Sequence, residues 1–168
     1  SPICFEDVDD LVQKFCFPWD SSEKTREKWE RYIDEHQKKI RTVAIAKCNG
    51  EIIGYGSLLL ESEYPLFLDV PEINDVWIHE NHRGMGYGTA LIKWLEALAK
   101  EQGYKEVGIG VGLYADYGPA QKLYFKLGYV PDGYGITYKC KKTVPGTSYP
   151  LNDDIILWLK KPLERGSS

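Results

Sequence analysis

A glycine-rich turn between a strand-like run and a helical run constrains this sequence more than any other feature. The turn is Arg83-Gly-Met-Gly-Tyr-Gly88, preceded by the apolar run 73–78 and followed by residues 89–102 with helical apolar spacing. Glycines at the start of a helix leave backbone N–H groups open to a ligand, and the helix end adds partial positive charge. The turn therefore predicts an anion cradle for a phosphate or pyrophosphate.

Two familiar phosphate-binding motifs do not fit this turn. A P-loop ends in Gly-Lys followed by Ser or Thr, and the sequence has no such ending. The dinucleotide fingerprint G-x-G-x-x-G needs a third glycine where Thr89 stands. It also needs an acid at the end of the next strand, whereas Glu106 opens that strand. The pattern that remains is Arg83-x-x-Gly86-x-Gly88 directly after a strand.

The order of segments along the chain predicts an α/β fold. Asn49-Gly50 lies between two strand-like runs and is a strong hairpin signal. Strands followed by alternating strands and helices indicate a mixed sheet, and the length fits a single domain spanning residues 1–168. Helices are predicted at 7–17, 24–39, 86–102 and 119–127, strands at 42–47, 51–60, 73–78, 106–111, 130–138 and 154–159, and a loop at 62–71.

Composition and charge narrow the class of protein. A net charge of −4 argues against a general nucleic-acid surface and mildly favours cationic partners such as amines. No apolar stretch approaches the length of a membrane span. The cysteines, at positions 4, 16, 48 and 140, have no metal-ligand spacing and indicate free thiols in a reducing cytoplasm. We therefore expect a cytoplasmic protein without a metal site, a nucleic-acid partner or a membrane partner.

A second motif follows the glycine turn after an intervening strand. It reads Gly118-Pro-Ala-Gln-Lys-Leu-Tyr-Phe-Lys-Leu-Gly-Tyr129, a short helix ending at Gly128. In this order and spacing the two motifs resemble the GNAT superfamily of acetyl-CoA-dependent N-acetyltransferases over roughly residues 40–138. The resemblance implies an α/β fold with a GNAT-like mixed, mostly antiparallel central sheet, flanking helices and a splayed strand pair.

The resemblance also implies how acetyl-CoA, the expected cosubstrate, binds. The glycine turn corresponds to the family's pyrophosphate-binding turn, and the preceding strand pairs its backbone with the pantetheine arm. The N–H of Ile78 would polarise the thioester carbonyl, an oxyanion-hole role. Lysines of the second motif, Lys122 and Lys126, could meet the ribose phosphate. The expected cofactor-binding residues are Val76, Ile78, Arg83, Gly84, Met85, Gly86, Tyr87, Gly88, Thr89 and Lys126.

Tyr124 stands at the Leu-Tyr position where the family places the acid that protonates the departing thiolate. A phenol with a pKa of about 10 can donate a proton to a thiolate whose thiol has a pKa of about 8.5. A packed aromatic on an amphipathic helix is the alternative interpretation of this residue. The resemblance favours Tyr124 as a catalytic acid.

The base that deprotonates the incoming amine stays open between several residues. Removing a proton from a lysine-like ammonium at neutral pH costs roughly 4–5 kcal/mol, so a base or a water chain to one is expected. The family often has a carboxylate on the strand before the glycines, where this chain offers Glu72 and Asp75 as catalytic candidates. Several amine acetyltransferases have Glu where Asn74 stands, and His79 and His82 are further possibilities.

One face of the strand at 106–111 carries no side chains, because Gly108, Gly110 and Gly112 alternate with apolar residues. Such a strand indicates something lying close against it, either a packed helix or an extended ligand. The family's pantetheine arm enters the gap between its splayed strands, which suits the second interpretation. Tyr117, where the family commonly has Asn, leaves one cofactor contact in doubt.

These features predict an N-acetyltransferase that moves an acetyl group to a primary amine by direct attack in a ternary complex. A covalent acyl-enzyme is disfavoured, since no cysteine lies near either motif in the sequence. The alternatives are a non-catalytic acyl-CoA-binding module of the same fold and a Rossmann-type domain with a wholly parallel sheet. The expected partner is a small-molecule or peptide amine acceptor, and a homodimer is possible.

Overall fold

The computed structural model describes residues 1–3 and 5–164. In this part of the chain the helices are α1 (Val8–Lys14), α2 (Ser22–Gln37), α3 (Tyr87–Glu101) and α4 (Gly118–Lys126). The strands are β1 (Arg41–Cys48), β2 (Glu51–Leu59), β3 (Glu72–Ile78), β4 (Glu106–Gly112), β5 (Val130–Tyr138), β6 (Lys141–Lys142) and β7 (Ile155–Pro162).

Every predicted helix and strand is present, with three differences. Strand β7 continues to Pro162, three residues beyond its predicted end. The first helix ends at Lys14 rather than at 17, because Phe17 precedes Pro18 and a residue before proline is disfavoured in helical conformation. Strand β6 has only two residues, too few for an alternating pattern, and the sequence did not predict it.

The strands form a mixed, mostly antiparallel sheet with the hydrogen-bonded order β1-β2-β3-β4-β7-β5-β6. Strands β3 and β4 run parallel, and their register joins only Glu72 to Gly108 and Ile73 to Ile109. The pairs β1–β2, β4–β7, β5–β7 and β5–β6 are antiparallel. The predicted fold class is confirmed, and the wholly parallel sheet of a Rossmann-type domain is not found.

The chain divides into two compact units, of which the first comprises residues 1–59 and 75–95. Its helix α2 begins after Ser21, whose hydroxyl accepts a hydrogen bond from the Lys24 N–H and caps the helix. The apolar stripe of α2 then packs with α1, β1 and β2. The buried residues of this core are Ile3, Val8, Leu11, Val12, Phe15, Trp29, Tyr32, Ile33, Val43, Ile45, Ile52 and Tyr55.

The predicted hairpin between β1 and β2 is confirmed. Asn49 and Gly50 have φ values of 51° and 81°, the left-handed pair that a two-residue hairpin turn requires. A register shift after Ala46 marks an irregularity in this ladder, and the Ile53 carbonyl accepts a hydrogen bond from the His79 N–H at 2.7 Å. This bond fixes the end of β3 just before the glycine turn.

The second unit comprises residues 60–74 and the chain from 96 onward. Its aromatic core contains Tyr64, Phe67, Val70 and Trp158. The rings of Tyr64 and Trp158 stack with centroids 4.4 Å apart, and Trp158 Nε1 donates to Thr137 Oγ1 at 2.8 Å. The predicted loop at 62–71 therefore supplies core residues although it has no regular secondary structure.

Two absences hold for residues 1–3 and 5–164. No helix there is long and apolar enough to cross a membrane. No group of three or more His, Cys, Asp or Glu side chains there is arranged to hold a metal ion.

Candidate active site

The glycine turn before α3 leaves its backbone open. Gly84 and Gly86 have φ values of 75° and 87°, in the left-handed region that glycine adopts without steric cost. A Cβ atom added at either residue would meet no atom within 4 Å. Helix α3 begins directly afterwards at Tyr87, and the Ala90 N–H donates to the Gly86 carbonyl at 3.0 Å. The turn thus combines open backbone with a helix N-terminus, as an anion cradle requires.

Side chains of the turn are held against the neighbouring strand ends. Arg83 Nε donates to the Ile78 carbonyl at 2.9 Å, and the Arg83 guanidinium lies 4.7 Å from the centre of the Trp77 ring. The Tyr87 hydroxyl donates to Cys48 Sγ at 3.3 Å. Cys48 is far from either motif in the sequence, but the β1–β2 hairpin brings it beside the turn.

The last residues of β3 pack closely against β2. A Cβ added at Gly54 would lie 2.5 Å from Ile78 Cδ1 and 2.6 Å from the Trp77 carbonyl oxygen. At Gly56 the nearest side chains include Val76, whose Cγ2 would be 3.2 Å away. Glycine in β2 allows this approach, and the packing holds the backbone of Val76 and Ile78 in place.

Asp75 lies in the middle of β3 with φ of 52°, a left-handed conformation that is unusual for a residue other than glycine. The Lys28 ammonium lies 2.7 Å from Asp75 Oδ2, and the Tyr32 hydroxyl donates to the same oxygen at 3.1 Å. The side chain is still 30% exposed, so solvent or a ligand can reach it. Asp75 is thus a charge-balanced carboxylate within the first unit.

Glu72, the other candidate base, belongs to the second unit and is 6% exposed. Ser62 Oγ donates to Glu72 Oε1 at 2.5 Å, and Asn74 Nδ2 donates to Oε2 at 2.7 Å. Asn74, which stands where several amine acetyltransferases have Glu, therefore orients Glu72. Both carboxylate oxygens have neutral donors in place.

The histidines before the turn differ in their bonding. His79 Nδ1 accepts a hydrogen bond from the Asn81 N–H at 3.3 Å, which starts the short 3-10 helix Glu80–His82. His82 Nδ1 is buried and has no hydrogen-bond partner among the described residues. The His82 ring lies 6.1 Å from the Tyr87 ring, at the entrance to α3.

Tyr124 lies on α4 in the second unit, partly buried, with its ring 6.2 Å from that of Tyr129. Burial raises the pKa of its hydroxyl to about 12. The hydroxyl therefore keeps its proton at neutral pH, as a proton donor must. Lys126, the expected ribose-phosphate contact on the same helix, is exposed.

Aromatic rings cover the glycine face of β4. A Cβ added at Gly108 would collide with the Phe67 ring, and one at Gly112 would collide with the Tyr117 ring. The Tyr117 hydroxyl donates to Asp153 Oδ1 at 2.8 Å, which helps to hold that ring on the strand. At these two glycines the face is thus covered by single aromatic side chains, Phe67 from the loop at 62–71 and Tyr117 from the short 3-10 helix Ala115–Tyr117, and not by an open slot.

Comparison with known proteins identifies the family. Residues 5–129 match the profile of the Acetyltransferase (GNAT) family. The chain belongs to the GNAT family. A comparison with curated protein sequences found no match.

Solved structures with the GNAT fold align over nearly the whole chain. Ribosomal-protein-alanine N-acetyltransferase from Brucella melitensis is 18% identical, with a TM-score of 0.70 over 97% of this chain and 98% of that one. An aminoglycoside 6'-N-acetyltransferase complexed with coenzyme A is 15% identical, with a TM-score of 0.72 over 100% and 98%. The PaiA N-acetyltransferase from Thermoplasma acidophilum, in complex with coenzyme A, is 15% identical, with a TM-score of 0.67 over 95% of each chain. At such identities the likeness shows a shared fold.

Sequence reasoning missed two neighbours of Asp75 in this GNAT protein. Lys28 and Tyr32 are one helical turn apart on α2, so the sequence could show that they share a face. It could not show that this face meets β3 at Asp75, because the pairing joins segments far apart in the chain.

Proposed function

We propose that this GNAT protein transfers the acetyl group of acetyl-CoA to the nitrogen of a primary amine by direct attack in a ternary complex. The observation that carries the proposal is the open glycine turn between β3 and α3, in a chain that belongs to an acetyltransferase family. Related folds solved with coenzyme A support the choice of cosubstrate.

The residues at the turn fit a bound pyrophosphate. Backbone N–H groups from Met85 to Thr89 would hold it, with the partial positive charge of the α3 N-terminus behind them. The backbones of Val76 and Ile78 would hold the pantetheine arm, and the Ile78 N–H would donate to the thioester carbonyl. When bound, acetyl-CoA supplies an activated acyl group with a thiolate as leaving group.

A carboxylate of β3 would take the proton of the incoming ammonium, directly or through water. Asp75 is the better placed candidate, because it is 30% exposed and already holds a cationic group, the Lys28 ammonium. Glu72 is nearly buried, with Ser62 and Asn74 donating to its two oxygens, which suits a positioning role.

Tyr124 would return a proton to the departing thiolate. Its raised pKa keeps the hydroxyl protonated at neutral pH. Burial and nearby carboxylates raise the pKa of the Cys140 thiol, so this cysteine stays protonated and is a poor nucleophile. This disfavours an acyl-enzyme on Cys140.

Release of free coenzyme A in the presence of polyamines, aminoglycosides, amino acids and peptides with free N-termini or lysines tests the proposal. We expect steady-state release with at least one amine class and an acetylated nitrogen in the product by mass spectrometry. Tight binding of acetyl-CoA without release for any amine would favour the non-catalytic acyl-CoA-binding module instead.

A further inference from the structure

Three aromatic rings surround the Lys28 ammonium. Its Nζ lies 5.0, 5.4 and 5.2 Å from the ring centres of Trp29, Tyr32 and Tyr55, which we call the aromatic cage. The rings brace one another edge to face, with centroids 4.6 Å apart for Trp29 and Tyr55 and 5.5 Å apart for Trp29 and Tyr32. Faces of aromatic rings attract cations, so this arrangement favours an ammonium group.

Asp75 completes the surroundings of this ammonium with a negative charge. Its Oδ2 is 2.7 Å from Lys28 Nζ, and the Tyr32 hydroxyl donates to the same oxygen. Burial and the Asp75 carboxylate raise the pKa of the Tyr32 and Tyr55 hydroxyls, so both phenols stay neutral beside the cation. A carboxylate combined with several ring faces is the chemistry that recognises an alkylammonium.

The walls of the cage are buried, whereas its occupant is partly exposed. Trp29 and Tyr55 are each 1% exposed, but the side chains of Lys28 and Asp75 are 27% and 30% exposed. The indole Nε1 of Trp29 is buried and has no hydrogen-bond partner among the described residues. Such an unsatisfied donor lowers the stability of the folded protein. A lysine side chain on four methylene groups can swing out of such a site without disturbing its walls.

Two arginines near the cage share one carboxylate, that of Glu35. The Arg41 guanidinium lies 4.3 Å from the Tyr32 ring centre, and its Nε pairs with Glu35 at 2.8 Å. Arg31 also lies near the Tyr32 ring and within 3.9 Å of Glu35. When Lys28 leaves, the Asp75 carboxylate loses its ion-pair partner.

We propose that the aromatic cage and Asp75 form the subsite for the acceptor's ammonium, and that Lys28 occupies it until an acceptor displaces it. The fitting acceptor is an unbranched primary alkylammonium, because a lysine stem already fits there. This inference rests on the proposed function for its link to catalysis, and it adds a substrate class and a residue, Lys28, that sets acceptor affinity.

Binding of n-butylammonium, measured without acetyl-CoA, tests the subsite independently of turnover. The proteins are the wild type, Lys28→Met, Lys28→Met with Asp75→Asn, and Lys38→Met. Methionine keeps the stem of lysine but removes the ammonium. Lys38 is the matched control, since it pairs with Asp34 at 2.8 Å on the same helical segment but away from the cage. Calorimetry measures the binding, and neutral n-butanol serves as the uncharged probe.

We expect Lys28→Met to bind n-butylammonium at least tenfold more tightly than the wild type, and Lys38→Met to match the wild type. Adding Asp75→Asn should remove the gain, and n-butanol should not bind. An affinity of Lys28→Met within twofold of the wild type, with cooperative unfolding retained, would overturn the subsite, as would equal binding of n-butanol. Lys28→Gln serves as the test variant if Lys28→Met does not fold.

Turnover with acetyl-CoA forms the second arm. If the subsite serves catalysis, Lys28→Met lowers KM for n-butylamine several-fold. An unchanged KM, despite tighter ammonium binding, would overturn the subsite's role for the acceptor. Absence of turnover in every protein would contradict the proposed function alone, since the binding measurement still decides whether the subsite exists.

Discussion

The ring of Phe67 lies directly on the backbone of Gly108, with no space for even one methyl group between them. Gly108→Ala should therefore force the ring out of the aromatic core and lower the free energy of unfolding by about 1–3 kcal/mol. Gly118→Ala is the control, because Gly118 has helical φ and ψ of −53° and −50° and open space around a Cβ. Chemical denaturation of both variants checks this. If Gly108→Ala were as stable as Gly118→Ala, the loop carrying Phe67 would move aside without loss of stability.

The sequence predicted those parts of the fold that depend on neighbouring residues, but not those that depend on contacts between distant segments. The Asn49-Gly50 hairpin and the glycine turn depend on neighbouring residues, so their patterns could be read locally. The covering of Gly108 by Phe67 and the pairing of Lys28 with Asp75 join distant segments, and no local pattern specifies them. The glycines of β4 indicated that another group packs closely against this strand, but they did not identify that group.

The same distinction applies to the candidate site. The glycines marked the turn that we propose as the cradle, because its left-handed, open backbone favours that residue type. The carboxylates of β3 could only be named as possible general bases, because the groups that contact a carboxylate determine whether it can accept a proton from the substrate. Ser62 and Asn74 orient Glu72, whereas Lys28 and Tyr32 hold Asp75, and these differences come from tertiary structure.

Gly86→Asp tests the anion cradle. Aspartate tolerates the left-handed backbone of Gly86 and its charge is favourable at a helix N-terminus, so the fold should be retained. The added carboxylate should repel the pyrophosphate and weaken coenzyme A binding at least tenfold by calorimetry. Gly103→Asp is the matched control, because Gly103 follows α3 at its other end with φ of 89° and open space around a Cβ. Unchanged affinity in Gly86→Asp would remove the turn from the cofactor site.

His36 makes stability depend on pH. Burial lowers its pKa below the usual 6.5, and its neutral Nδ1 accepts a hydrogen bond from the Val43 N–H at 3.1 Å. Because the unfolded chain binds this proton more readily, the stabilisation is complete above pH 6.5 and is lost as the pH falls below it. His36→Asn keeps an acceptor but cannot be protonated, so its free energy of unfolding should fall less between pH 7 and pH 5. Parallel pH dependences would show that His36 is not responsible.

Tyr124→Phe should lower kcat by roughly 100-fold, the usual scale for a lost general acid, with little change in coenzyme A affinity. Since burial raises the pKa of Tyr124 to about 12, its hydroxyl stays protonated throughout the assay range, and the basic limb of the pH profile should keep its position in the variant. Tyr129→Phe is the control, because the Tyr129 hydroxyl donates to Glu96 in the core. A wild-type kcat in Tyr124→Phe would make Tyr124 a core aromatic.

Asp75→Asn and Glu72→Gln separate the two candidate bases. A general base must be ionised, so kcat/KM should fall at low pH as the base takes up a proton. We expect this acidic limb to disappear, together with most of the activity, in Asp75→Asn, because Asp75 is the accessible carboxylate that already holds an ammonium. Glu72→Gln should keep the limb and lose activity only through misplacement of Ser62 and Asn74, its hydrogen-bond donors.

The pH profiles of kcat/KM for both variants, measured with the best acceptor, decide which carboxylate is the base. Loss of the limb in Glu72→Gln alone would make Glu72 the base, and its retention in both would mean that the acceptor arrives neutral or uses another residue.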